Sequence, residues 1–150
     1  MKSCVSRDKT MPYQLTLPPP RFGEFDLGGV LYHSNYFHIY EQIREDFLSK
    51  GPYPYPKLVK SNCHLAVVES RQKFIKPIYY GEAFKAELIF SEVKRVSVTA
   101  EYRLYNENTL HLGQTKLVYI DSSAGAFAVN PLPEDLRDYF NRFNSPSQFK

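Results

Sequence analysis

The 150-residue chain has no tryptophan and only two cysteines, Cys4 and Cys63. Two thiols make neither a disulfide framework nor a metal-ligand spacing, so both are expected as free thiols in a reducing compartment. Long apolar runs are missing too. Stretches such as Leu65-Ala66-Val67-Val68 fall far short of the roughly 20 apolar residues a membrane helix needs. Met1 to Thr10 carry charges but no apolar stretch, and no secretory signal is visible there. The net charge of +3 is too small to announce a nucleic-acid binder. His33 and His38 lie five apart, His64 and His111 are isolated, and no H-E-x-x-H occurs. No metal and no cofactor is expected from that spacing. Ser122-Ser123 lacks a nucleophile-elbow motif, which argues against a serine hydrolase. The expectation is a cytoplasmic protein with no membrane or nucleic-acid partner.

Aromatic residues, by contrast, are plentiful, with 12 Tyr and 11 Phe. They suit a ring-lined pocket and equally suit strands and core packing. The length fits one domain spanning 1–150, and no repeat or linker divides it. Met11 to Leu17 reads as a strand ended by Pro18-Pro19-Pro20, since proline offers no N–H to a sheet. Arg21 to Asp26 is expected to resume extended structure. Tyr36, Tyr40, Ile43 and Phe47 fall at spacings of four, three and four, one face of a helix. Ser34 or Asn35 can cap its start, and Gly51-Pro52 stops it. Pro52 to Pro56 reads as a stiff, extended loop.

After Cys63 the period changes to two. Val96, Val98, Ala100, Tyr102 and Leu104 alternate with polar residues, and Phe84, Ala86, Leu88 and Phe90 repeat the pattern one strand earlier. Leu65 to Lys76 and Leu110 to Ile120 are two further strands, the last with a bulge expected at Gly113. Asn106-Glu107-Asn108 reads as a hairpin turn. A second, shorter helix begins at Pro133 with the stripe Leu136, Tyr139, Phe140 and Phe143, and 145–150 is expected to fray. One long apolar helix followed by an antiparallel meander is an α+β arrangement, with the sheet able to wrap the helix.

Chemistry concentrates in the segment from Glu24 to His33, E-F-D-L-G-G-V-L-Y-H. Asp26 sits where extended chain gives way to Gly28-Gly29, and the turn runs into a helix start. Glycines let the backbone pass close to a ligand, and a helix start offers unpaired N–H groups to a developing oxyanion. A carboxylate beside that spot can attack a carbonyl or activate a water. An Asp before Gly-Gly is also an ordinary turn former.

From Arg21 to Arg44 the sequence resembles the 4-hydroxybenzoyl-CoA thioesterase family, whose pattern is close to D-x-D-x-x-G-V-V-Y-H-x-x-Y. Asp26, Gly29, Val30, Tyr32, His33 and Tyr36 match it position by position, with Glu41 and Arg44 in register on the helix. The family's first acid and small residue are replaced by Glu24 and Phe25. The resemblance implies a hotdog fold, in which two subunits join their sheets. It makes Asp26 the nucleophile or general base on a thioester carbonyl and the His33 N–H the oxyanion donor. The His33 ring stays open between a catalytic and a packing role. Gly29, Tyr32 and Tyr36 are implied as substrate-binding, with Tyr36 also fitting the core stripe. Lys94-Arg95 matches a basic pair that contacts coenzyme A phosphates, although such pairs also sit merely solvated.

The reading that results is a homodimeric or homotetrameric acyl-CoA thioesterase, with an aromatic acyl group such as 4-hydroxybenzoyl or 1,4-dihydroxy-2-naphthoyl, the latter placing it in quinone biosynthesis. Short aliphatic acyl-CoA is the alternative substrate, and a non-catalytic acyl-CoA binder on the same scaffold is the alternative role. A hydratase would need an Asp and His in a motif that is not present.

Overall fold

The structure is a computed structural model that describes residues 10–123 and 125–149, so Cys4 lies outside the described residues. Helix α1 spans Tyr36–Ser49, and the four stripe residues read from the sequence are all buried, with Ile39 and Leu48 beside them. Each large apolar side chain taken from water contributes on the order of 2 kcal/mol, so this face fixes where the helix lies. It lies against an antiparallel sheet of strands β1 (Tyr13–Leu15), β2 (Cys63–Phe74), β3 (Lys85–Val93), β4 (Ser97–Tyr105) and β5 (Thr109–Asp121). Their order across the sheet is β1-β3-β4-β5-β2, and the two-residue β6 (Ala128–Val129) pairs with the end of β5. Extra residues at Val68, Ser91 and Leu110 break the registers and curl the sheet round the helix. This is the hotdog arrangement.

Stacked rings join the two layers. Tyr40 lies on Tyr102 with centroids 4.4 Å apart, and Tyr36 on His111 at 4.0 Å. Arg44 is drawn inward with them and donates to the Tyr102 hydroxyl at 3.0 Å. Helix α3 (Glu134–Asn141) closes the far end, with Tyr139 stacked on Phe47 at 4.3 Å.

The structure differs from the sequence expectations at five places. Gly113 is not a bulge: it pairs regularly with Tyr102 and Gln72. It is glycine because a Cβ there would stand 2.2 Å from the Tyr40 ring. The strand keeps one phase through His111, Gly113, Thr115, Leu117 and Tyr119, polar residues included. Pro52 to Pro56 is not all extended, because α2 (Tyr55–Lys60) starts there with a proline in its first turn, where the missing N–H costs nothing. Phe22–Glu24 forms a short 3-10 turn within the stretch expected to be extended. Asn35 occupies the cap position of α1 without a side-chain cap, and a 3-10 turn over His33–Asn35 leads in instead. The segment 145–149 is held on the convex face of the sheet, where Ser147 Oγ and the Gln148 N–H donate to the buried Glu101 carboxylate at 2.6 and 2.7 Å.

Candidate active site

Asp26 lies in a tight loop whose two ends, Phe25 and Leu31, bridge each other. The Asp26 N–H donates to the Val30 carbonyl at 2.9 Å, and the Gly29 N–H to the Asp26 carbonyl at 3.0 Å. Gly29 has φ of 77°, the left-handed region that a side chain rarely tolerates. The loop is stapled to the strand-like segment beside it by Leu31 N–H to Ile78 carbonyl at 2.8 Å and Tyr80 N–H to Gly29 carbonyl at 3.1 Å. Of the exposed carboxylate of Asp26, Oδ1 accepts from the Gly28 and Val30 N–H groups at 2.8 and 3.3 Å. The turn-forming role and the chemical one therefore share a residue: one oxygen shapes the loop, and Oδ2 has no hydrogen bond among the described residues.

The chain then runs through Tyr32 and His33 into α1. Neither the His33 nor the Ser34 N–H has a partner among the loop and turn hydrogen bonds of the described residues, as first-turn donors usually do not. The Asn35 amide donates to the Glu24 carbonyl at 2.8 Å, and the Tyr32 N–H donates to the same oxygen at 3.0 Å. The helix start is thereby fixed against the acid loop.

A cavity of about 320 Å³ opens where these pieces meet. Asp26, Val30, Leu31, Tyr32, His33 and Tyr36 form one wall, and Phe74, Ile75, Lys76 and Pro77 the other. Two clefts of about 520 and 590 Å³ are larger, but neither reaches Asp26. Burial pushes the Tyr36 phenol up to about 12, so it remains a neutral, aromatic wall. Tyr32 and His33 expose their rings, which lean together with centroids 4.3 Å apart.

Five of the residues read from the sequence thus meet at one place: Asp26, Tyr32, His33 and Tyr36 on the wall, and Gly29 in the loop behind them. Lys94 and Arg95 do not join them within one chain. They sit at the β3–β4 hairpin, where Lys94 pairs with Glu92 at 3.5 Å and the Arg95 carbonyl accepts from Leu132. Val98, next to that hairpin, is six residues along β4 from Leu104 at the level of the site, roughly 20 Å at strand rise. The second wall was not read from the sequence. Phe74 ends β2, and only the pairing of Phe74 with His111 brings it beside α1. No group of three or more His, Cys, Asp or Glu side chains close enough to hold a metal occurs among the described residues. No described helix is long and apolar enough to cross a membrane.

Residues 20–140 match the thioesterase-like superfamily. A curated relative from Aquifex aeolicus (strain VF5), named "Putative esterase", is 30% identical over 88 residues, 59% of this chain and 69% of its own. A gentisyl-coenzyme A thioesterase superposes with a TM-score of 0.74 at 21% identity, over 87% of this chain and 99% of that one. The DHNA-CoA thioesterase of Staphylococcus aureus gives 0.69 at 24% identity, over 88% and 87%. At such identities these two structures establish the fold.

Proposed function

Because the chain belongs to the thioesterase-like superfamily, we propose that it hydrolyses an acyl-CoA thioester to the free acid and coenzyme A. The observation that carries this reading is that the Asp26 carboxylate and His33, in the 3-10 turn that leads into α1, line one cavity. The thioester carbonyl sits between them, its oxygen facing the His33 N–H, where the helix dipole favours developing negative charge. Asp26 then acts in one of two ways. It takes a proton from water, whose oxygen attacks the carbonyl carbon, or it attacks that carbon itself and water cleaves the resulting anhydride. Both routes break the carbon–sulfur bond. In the first, Asp26 hands the proton it took from water to the departing thiolate. In the second, the thiolate departs as the anhydride forms and takes its proton from solvent, and water then cleaves the anhydride to free the acid and Asp26. His33 acts through its backbone, leaving the ring to pack on Tyr32.

The acyl group we favour is aromatic, as in 4-hydroxybenzoyl-CoA or 1,4-dihydroxy-2-naphthoyl-CoA. Tyr32, Tyr36 and Phe74 offer ring faces and edges to it, and the gentisyl- and DHNA-CoA enzymes share the fold. Gly29 lets the loop backbone approach it. The working form is a homodimer or homotetramer, formed through β2, whose outer edge is unpaired among the described residues and exposes Val67, Val68 and Phe74. Lys94 and Arg95 would contact the coenzyme A phosphates of a site in another subunit. The bond from Gly28 to Asp26 Oδ1 favours a second reading, an acyl-CoA binder in which the acid only shapes the loop.

Thiol release from aryl- and alkyl-CoA esters, measured for wild type and Asp26→Asn, separates the two. The amide oxygen of Asn preserves the loop hydrogen bonds, so the variant folds, while turnover drops about 10²- to 10⁴-fold. Undiminished turnover in the folded variant would discard the mechanism. Tight ester binding without turnover in wild type would select the binder.

A further inference from the structure

Behind the wall formed by Tyr36 and Phe74 lies a set of polar side chains that the proposed reaction does not use. His111 and Thr115 flank Gly113 on the concave face of β5, and Gln72 of β2 stands directly opposite Gly113. The Tyr40 ring fills the space over that glycine, and its hydroxyl pairs with His111 Nε2. This leaves His111 Nδ1 and Gln72 Oε1 buried without a hydrogen-bond partner. Thr115 Oγ1, also buried, lies beside the Tyr102 hydroxyl. That hydroxyl accepts from Arg44 and has its own proton left to point there, so Thr115 stands apart from the other two. Buried polar atoms in folded proteins are nearly always paired, so neighbouring unpaired ones mark a place where something polar belongs.

The position relative to the cavity says what that is. Tyr36 and Phe74, both cavity-lining, touch His111 directly, with centroids 4.0 and 4.9 Å from its ring. Gln72 follows Phe74 on the same face of β2, one inward step deeper along the strand. Phe74 is 53% exposed at the strand end, and its ring both lines the cavity and packs on His111. We propose that His111 and Gln72 form the polar end of the acyl site and bind a hydroxyl group carried by the acyl moiety. This rests on the thioesterase reading and names the substrate feature that its site selects.

The donors and acceptors are complementary. Burial holds the Tyr40 phenol protonated, so it donates to Nε2 and the His111 proton resides on Nδ1. Burial also pushes the His111 pKa down to about 3, which keeps the ring neutral. A substrate hydroxyl then accepts from Nδ1–H and donates to Gln72 Oε1.

The test compares benzoyl-CoA with its 2-, 3- and 4-hydroxy derivatives as substrates, and the matching phenacyl-CoA thioethers, which lack the scissile bond, as ligands. At least one hydroxylated ester is expected to exceed benzoyl-CoA tenfold or more in kcat/KM, with the same ordering in thioether Kd. Gln72→Met, a half-buried and shape-conserving change, is expected to cut that ratio at least fivefold, and His111→Phe likewise. Ratios near one for every hydroxyl position in wild type, or an unchanged ratio in folded Gln72→Met, overturn the proposal. Discrimination among thioethers without hydrolysis of any ester would keep the polar site and discard the hydrolytic reading. Hydrolysis of all four esters at one rate would do the reverse.

Discussion

The side-chain amide of Asn35 reaches back across eleven residues to the Glu24 carbonyl, tying the cap position of α1 to the loop that holds Asp26. The acid and the proposed oxyanion donor are thus set against each other by a bond that neither of them makes. The same carbonyl accepts from the Tyr32 N–H, so the two contacts share one oxygen.

Asn35→Ala removes this tie without substituting either Asp26 or His33. The lost hydrogen bond is worth about 1 kcal/mol of stability, read as a modest shift in the urea midpoint. Turnover should suffer more than that, by roughly tenfold, because misplacing reacting groups by a fraction of an ångström is costly. Equal small losses in both measurements would mean the tie serves folding alone.

His111 predicts a pH dependence of stability. Its folded pKa lies near 3 through burial, against an ordinary value of 6.5. Below pH 6.5 the unfolded chain takes up a proton on this ring, and the folded chain does not until about pH 3. Stability contributed by the neutral buried ring is therefore lost as the pH falls through that window, on the order of 5 kcal/mol in full. Urea midpoints from pH 7 to 4 should fall less steeply for His111→Gln than for wild type. Parallel curves would contradict the assignment.

The exposed edge of β2 predicts the assembly. Val67, beside its register break, and Val68, the extra residue that makes it, are each more than half exposed. Val67→Lys places a charge on that edge, which opposes pairing with a second strand. Analytical ultracentrifugation should find wild type at two or four chains and the variant shifted to one. A wild type that sediments as one chain removes the edge-pairing account, and the subunit-crossing role of Lys94 and Arg95 with it.

Sequence periodicity carried the architecture well because its strongest signals are also the buried ones. Tyr36, Tyr40, Ile43 and Phe47 read as a helix face, and all four are nearly inaccessible to water. The inward residues of β4, from Val98 to Leu104, read equally well. What did not show was whatever depends on a partner distant in sequence. His111 looked like an isolated histidine, yet it stacks on Tyr36, 75 positions away in the chain. Phe74 and Lys76 looked like the end of a strand and became half of the cavity. The turn into α2 was hidden by its prolines, which suggested extended chain although one of them suits a first helical turn. Glu101 alternates as an outward residue should, and nothing local reveals that the chain's last residues bind it.

Gly113 gives the site a dependency at a distance. With the Tyr40 ring where a Cβ would be, the helix rests on bare backbone, and its height above the sheet is set by that strand rather than by compressible side chains. One turn back from Tyr40, at the start of α1, lies Tyr36, and the 3-10 turn before it holds His33. Any residue larger than glycine at 113 must lift this hinge-like point of contact and tilt the helix entrance away from Asp26. A hydrogen atom on β5 thus acts as the gauge that keeps the acid and the helix start in working alignment.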